Sequence, residues 1–354
     1  MAGRPPVLRL AIIGLPQSGK TSLFSLLSGI PYEKAVSNPG GPLSAQVRVI
    51  DPRLTWLHEA NHPKAKLTYP TVELFDTPPL VFEEGKERSE AFSAFRELDG
   101  LLVVLRGYDR AGPIAEKTRA LGQELDQIRS ELHLIDLEKV QRKIEKLQAI
   151  VKKPVPDLEA SKRELAVLEH LFEAISAGRK DAFEKLSADD EKKLRAFQLF
   201  SKRPTIAIGN VADVDAAAWP AGAFEPMSLK LELELSQMAE AERKEFMDMY
   251  GLKKLSSGGF LNGLVRRMGR IFFYTVGEPE VTAWGIAAGT RAQPAAGKIH
   301  TDLEEGFIAA EVLPFELVQK HGTVRAAEIK AKPRLEGKDY VVQDGDILHF
   351  RFAS

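Results

Sequence analysis

The sequence predicts an α/β chain whose first domain is interrupted by a helical arm and followed by a small β-rich module. Three observations carry this. Short apolar runs at Val7–Ile13, Val72–Phe75, Leu101–Leu105 and Thr205–Ile208 are separated by helical patterns, as in a sheet with helices on its faces. From about Ile114 to Phe200, Leu and Ile recur at three- and four-residue spacing among alternating charges. After Met268 the pattern turns into short strand-like runs set apart by Gly, Pro and Asp. A chain of 354 residues also exceeds the size at which one core keeps growing, so several compact units are expected.

Val7–Ile13 ends at Gly14, and Lys20–Leu27 resumes with small and apolar residues at helical spacing, which gives strand, loop, helix. Pro31–Leu43 is a loop rich in Pro, Gly, Ser and Asn, and Ala45–Ile50 alternates like a strand. Leu101–Leu105 is almost continuously apolar, as expected of a strand covered on both faces. In the arm, Leu125, Ile128, Leu132 and Ile135 make one stripe, and Leu137, Val140, Ile144, Leu147 and Val151 the next. Pro154 and Pro156 break it, and a further stripe at Leu165, Leu168, Leu171, Phe172 and Ile175 closes at Gly178, which together predict an antiparallel helical hairpin. The α/β pattern returns at Thr205–Ile208, so the first domain is expected to be discontinuous, 1–113 with 201–270, around an arm at 114–200. Residues 271–354 form the last module, with strands expected at Phe272–Val276, Val281–Ile286, Phe307–Val312, Asp339–Val342 and Ile347–Phe352.

Lys plus Arg number 49 and Asp plus Glu 50, so composition exerts no global pull toward nucleic acid and any RNA contact must come from a local patch. Arg266, Arg267 and Arg270 are one candidate, and exposed arginines at a domain junction explain them equally well. The absence of Cys excludes disulfides, thiolate metal sites and a cysteine nucleophile. Seven scattered His with no His-Glu-x-x-His argue against zinc. The N-terminus lacks the long apolar core of a secretory signal and no stretch approaches the ~20 apolar residues of a membrane span, so a cytoplasmic protein with no membrane contact is expected. Trp219 and Trp284 read as core or junction anchors.

The chemistry is concentrated in Gly14-Leu15-Pro16-Gln17-Ser18-Gly19-Lys20-Thr21, which fits G-x-x-x-x-G-K-[ST] after a buried strand and before a helix. Glycine lets the backbone turn so that successive N–H groups face phosphate oxygens, and the following helix adds its positive N-terminal dipole. Lys20 reaches the β and γ phosphates, and the Thr21 hydroxyl ligates Mg²⁺. Pro16, Gln17, Ser18, Gly19 and Ser22 complete the expected cradle. The ligand read from these residues is a nucleoside triphosphate with magnesium.

These residues resemble a family. Gly14-Leu15-Pro16 ahead of Gly19-Lys20 is similar to the loop of the YchF (Obg-like ATPase) group of TRAFAC-class P-loop proteins. Asp51-Pro52-Arg53-Leu54, Glu164-Leu165-Ala166-Val167-Leu168-Glu169, Ala295 through Asp302, Glu336-Gly337-Lys338-Asp339-Tyr340 and Asp344-Gly345-Asp346 resemble further family segments in the same order. The resemblance implies a Ras-like G domain, a coiled-coil arm and a C-terminal TGS β-grasp domain. It also implies an ATPase with ribosomes or other RNA-containing partners. A monomer is expected.

Against that resemblance, Asp76 is expected to hold the magnesium shell, but its Asp-x-x-Gly segment here reads Asp76-Thr77-Pro78-Pro79. Pro79 has no amide hydrogen to offer the γ-phosphate. Leu80 stands where related GTPases carry a water-orienting Gln and cannot polarise water. No Thr occurs between Thr21 and Thr55, which leaves Ser37 and Ser44 as weak stand-ins for the switch threonine. Slow turnover at best is expected, with a catalytically impaired nucleotide-binding scaffold as the alternative. For the base, Asn210-Val211-Ala212-Asp213 follows a strand, and Ser228-Leu229-Lys230 supplies the second base loop. The family carries Glu at the last position of the first segment and prefers ATP, whereas Asp213 leaves GTP open. A polar turn at a strand end is the competing reading of Asn210 and Asp213.

Overall fold

The computed structural model describes residues 6–37, 43–80, 98–152, 158–177, 199–212, 219–220, 222–249, 252, 255, 257 and 259–353. Among them the strands are β1 (Leu8–Ile13), β2 (Leu43–Arg48), β3 (Lys66–Thr68), β4 (Thr71–Asp76), β5 (Gly100–Arg106), β6 (Thr205–Asn210), β7 (Glu225–Met227), β8 (Arg270–Val276), β9 (Glu280–Ala287), β10 (Phe307–Pro314), β11 (Arg334–Glu336) and β12 (Asp346–Phe352). The helices are α1 (Lys20–Ser28), α2 (Tyr32–Val36), α3 (Pro52–Asn61), α4 (Ile114–Ile150), α5 (Leu158–Ser176), α6 (Leu229–Gln237), α7 (Glu240–Met249), α8 (Phe260–Arg267), α9 (Ala292–Gly297), α10 (Thr301–Glu305), α11 (Phe315–His321) and α12 (Val324–Ala331). Two six-stranded sheets result, ordered β2-β4-β1-β5-β6-β7 and β11-β10-β12-β8-β9-β3. The chain divides into two compact units, one of Met1–Leu10, Leu23–Phe75 and Glu232–Ser354, the other of Ala11–Ser22 and Asp76–Leu231.

The second of these units holds β5, β6 and β7, paired in parallel with Val104 opposite Ile208 and Asn210 opposite Met227. Gly100 through Leu105 are buried, which accounts for the unbroken apolar run, since a strand covered on both faces has no position for polar residues. The two apolar stripes of the arm are one continuous helix of 37 residues, α4. Helix α5 packs on its second half through Val140, Ile144 and Leu147 against Leu168, Leu171 and Ile175, and Lys143 pairs with Glu164 at 3.1 Å. The breaks expected at Pro154, Pro156 and Gly178 lie outside the described residues.

The middle of α4 is tied to the turn at Phe200 by Asp136. Its side chain is 0% exposed and accepts the Phe200 and Ser201 N–H groups at 2.8 and 2.7 Å. Burial raises its pKa, and these hydrogen bonds only partly offset that. The carboxylate thus satisfies two main-chain donors that the 3-10 turn Phe200–Lys202 cannot satisfy for itself.

In the first unit, β8 and β9 form an antiparallel hairpin, β12 lies parallel to β8 with Ile347 opposite Tyr274, and β10 runs antiparallel to both β12 and β11. The alanines of α9, Ala292, Ala295 and Ala296, pack in the core with Phe273, Val312, Leu348 and Phe350, their small side chains letting the helix come close. The strand expected at Asp339–Val342 is not one. Tyr340 N–H closes a turn onto Gly337 C=O, Val341 keeps only an isolated bridge to Arg291, and the edge strand is β11. Trp284 stacks on Phe273 and donates its Nε1–H to Thr275 Oγ1, an anchor as expected.

A second feature of this unit had no sequence signal. β3 adds a parallel strand beside β9, Lys66 opposite Glu280 and Thr68 opposite Thr282. Next to it, Asp51 caps α3 by accepting the Arg53 N–H at 3.0 Å, with Pro52 at the first helical position, where no N–H is needed. The Arg53 guanidinium bridges Asp51 and Asp344, at 2.8 and 3.0 Å, and lies over the Tyr274 ring, whose hydroxyl donates to Asp51 at 2.7 Å. Arg266 also reaches Asp344 at 3.3 Å, so one arginine of the candidate RNA patch is engaged within the protein.

Candidate functional site

The phosphate loop connects β1 to α1, and glycine is required at both of its ends. A Cβ on Gly14 would sit 2.4 Å from Val104 O, against the backbone of β5. Gly19 has φ +104°, and a Cβ there would meet Asn210 Nδ2 at 2.5 Å. Between them Gln17 adopts φ +59°, left-handed geometry that turns neighbouring N–H groups toward one side and forms an anion-binding concavity. Lys20 opens α1, so the first-turn N–H groups, which have no partners within a helix, face the same loop.

Lys20 is buried and its Nζ donates to the Gly14 and Leu15 carbonyls at 3.3 and 3.2 Å. Burial lowers its pKa, an effect that the nearby Asp76 partly offsets. Thr21 Oγ1 donates to Asp76 Oδ2 at 2.7 Å. Burial raises the Asp76 pKa, with Thr21 and Lys20 pulling the other way. Asp76 Oδ1 and Ser18 Oγ are both buried without a hydrogen-bond partner among the described residues. A hydroxyl and a carboxylate side by side, one carboxylate oxygen unsatisfied, suit a hard cation that takes its remaining ligands from phosphate and water, so these residues fit Mg²⁺.

Asn210, 6% exposed at the end of β6, holds the loop from behind. Its Nδ2 donates to Ser18 O at 3.0 Å and its Oδ1 accepts the Leu229 N–H at 3.3 Å, so one side chain joins the phosphate loop to the start of α6. Val211 is buried and donates its N–H to Met227 O, and Ser228 is buried beside Leu229. The structure thus brings Gly14, Ser18, Gly19, Lys20, Thr21, Asp76, Asn210, Val211, Ser228 and Leu229 into one region; Pro16 and Gln17 lie exposed on the loop and Ser22 in the first turn of α1. Asp213 lies outside the described residues. Ser37 uses its hydroxyl on Lys34 O, capping α2, and Ser44 is in β2.

Two residues of the site had escaped sequence reasoning. Tyr108, 39% exposed, donates its hydroxyl to Gln17 O at 3.1 Å and so braces the loop from the end of β5. Thr77 is buried and donates Oγ1 to Ile12 O at 2.7 Å, joining the chain after β4 to β1. Tyr108 carries no local signal, whereas Thr77 could have been suspected from its place beside Asp76.

Known proteins of one family are similar to this chain along almost its whole length. Residues 9–159 match the family described as 50S ribosome-binding GTPase, and residues 271–353 match the YchF-GTPase C-terminal family, described as a protein of unknown function. The chain is 32% identical to the ribosome-binding ATPase YchF of Haemophilus influenzae, over 97% of this chain and 99% of that one. The chain belongs to the YchF family. It is also 31% identical to Obg-like ATPase 1 of Oryza sativa subsp. japonica, over 98% of this chain and 92% of that one. The solved structure of the Schizosaccharomyces pombe YchF GTPase superposes with a TM-score of 0.76 at 26% identity, covering 99% of each chain. The fold of this YchF-family member is thus a P-loop GTPase fold with the family's C-terminal domain.

Proposed function

We propose that the chain binds a nucleoside triphosphate with Mg²⁺ at Gly14–Thr21, takes ATP in preference to GTP, hydrolyses it slowly, and acts on ribosomes or RNA-containing partners in the cytoplasm as a monomer. The observation that carries this reading is the Thr21–Asp76 pair, whose Oδ1 has no partner among the described residues, placed at a loop whose own carbonyls accept from the Lys20 ammonium. In the nucleotide complex Lys20 exchanges those carbonyls for the β and γ phosphates and stabilises charge on the transferred phosphoryl group. Thr21 and Asp76 would hold the cation, which would supply charge neutralisation at the phosphates. Asn210 and Tyr108 keep the loop in place. The names of the relatives, ribosome-binding ATPases, support the ATP preference and the ribosomal partner. We assign residues 1–113 and 201–270 to the nucleotide-binding domain, 114–200 to the arm and 271–354 to a β-grasp domain of TGS type, the last two contacting the partner.

Slow turnover follows from Leu80, which offers no group to orient water. A second reading, a nucleotide-occupied adaptor without turnover, is favoured by Pro78 and Pro79. Titration of ATP and GTP with Mg²⁺ against wild type and Lys20→Ala, with phosphate release measured with and without ribosomes, separates the two. Binding with Lys20-dependent release supports the enzyme; binding without release supports the adaptor. Failure of both nucleotides to bind at millimolar concentration refutes both readings.

A further inference from the structure

We propose that this site holds nucleoside diphosphate nearly as well as nucleoside triphosphate, because the described residues that follow Asp76, Thr77 to Leu80, leave no main-chain donor free for a third phosphate. The inference rests on the nucleotide-binding reading above and concerns which phosphate chain the site distinguishes. Four residues decide it. Thr77 directs both its N–H and its hydroxyl at Ile12 O, at 3.4 and 2.7 Å. Pro78 and Pro79 have no N–H at all. Leu80, the next residue with a donor, gives its N–H to Gly14 O at 3.0 Å and is itself buried.

Releasing the Leu80 N–H would mean breaking its bond to Gly14 and bringing an apolar side chain into water. The intervening backbone resists that movement. Proline fixes φ, and each residue before a proline is restricted as well, so Thr77 and Pro78 are both confined and no glycine between Asp76 and Leu80 relieves them. The segment is therefore latched to the phosphate loop in one conformation and senses nothing beyond the second phosphate. Lys20 serves the β-phosphate in either ligand and meets the γ-phosphate in the triphosphate alone, which leaves the triphosphate a modest preference.

The test is calorimetric titration of the full chain with Mg·ADP and with the non-hydrolysable Mg·imido-ATP, in wild type and in Pro79→Gly. We expect a wild-type preference for the triphosphate below about tenfold, and an increase of about tenfold in Pro79→Gly, the worth of one regained hydrogen bond to a charged oxygen. Amide hydrogen exchange at Leu80, equally slow in both wild-type complexes, gives a readout that needs no variant. A wild-type preference of about tenfold or more overturns this inference while leaving nucleotide binding intact. An unchanged ratio in folded Pro79→Gly overturns the role of the prolines. Binding of neither nucleotide overturns the inference together with the reading it rests on.

Discussion

Replacing Asn210 with Ala removes a side chain that hydrogen-bonds both to the phosphate loop and to the start of α6. Two buried partners lose their bonds, the Ser18 carbonyl at 3.0 Å and the Leu229 N–H at 3.3 Å. An orphaned buried group costs about 1–3 kcal/mol, and the longer Leu229 bond belongs at the low end, so the variant should lose about 3 kcal/mol in all. About 2 kcal/mol of that falls on the Ser18 side, where the loop must be held for phosphate, equivalent to about thirtyfold in nucleotide affinity. Asn210→Asp sharpens the test. It keeps an acceptor for Leu229 but sets a carboxylate oxygen against the Ser18 carbonyl and beside Gly19, where Asn210 Nδ2 fills the space of a Cβ. Its affinity should fall at least as far as that of the Ala variant. Titration with a fluorescent ATP analogue gives the binding loss, and urea unfolding without nucleotide gives the stability loss separately. If Asn210→Ala bound nucleotide within about threefold of wild type and unfolded at the same midpoint, the assigned positioning role would be wrong.

Arg53→Ala should destabilise by about 3 kcal/mol in denaturant unfolding, since it strips Asp51, 1% exposed, of its cation while Tyr274 and the Arg53 N–H still hydrogen-bond to it. Asp136→Ala leaves the Phe200 and Ser201 donors without their acceptor and should cost about 3 kcal/mol, whereas Asp136→Asn retains one acceptor and should cost roughly half as much by the same measurement. The pH dependence has opposite signs at the two carboxylates. Burial would raise the Asp51 pKa, but Arg53 and Tyr274 outweigh it and hold it below the ordinary range, so its contribution is intact at neutral pH and is lost as pH falls through the folded value, below about 4. Asp136 is raised, so its contribution is complete below the ordinary carboxylate pKa of about 4 and is lost as pH rises through its folded value. Urea midpoints against pH should therefore lose their steepest acid fall in Asp51→Asn.

The phosphate site was legible because its chemistry is contiguous: eight residues carry the turn, the lysine and the hydroxyl, and the apolar run before them identifies the strand. Asp76 and Asn210 could be named through the resemblance, each standing where the family's motifs place such a residue after a short apolar strand. What could not be read was how they are braced. Nothing local marks Tyr108 as the donor to Gln17, or assigns the Asn210 amide to Ser18 and Leu229, because these contacts join residues far apart in the chain. The strand assigned to Asp339–Val342 failed for a physical reason as well: apolar Val341 and Val342 follow a turn closed by Tyr340, and a single bridge cannot extend into a ladder. Lys66-Leu67-Thr68 is too short to show periodicity, so β3 was invisible until its partner was seen.

That short strand has a consequence for synthesis. Lys66–Thr68 leaves the ribosome long before Glu280–Thr282, the stretch that it must meet edge to edge. The C-terminal sheet therefore completes only after nearly the whole polypeptide exists, a long-range closure of the kind that slows folding. Cutting the chain at Arg270 to transplant the tail would bare the flank of β9 and invite strand pairing with foreign chains, so a soluble graft needs the Lys66–Thr68 stretch supplied with it.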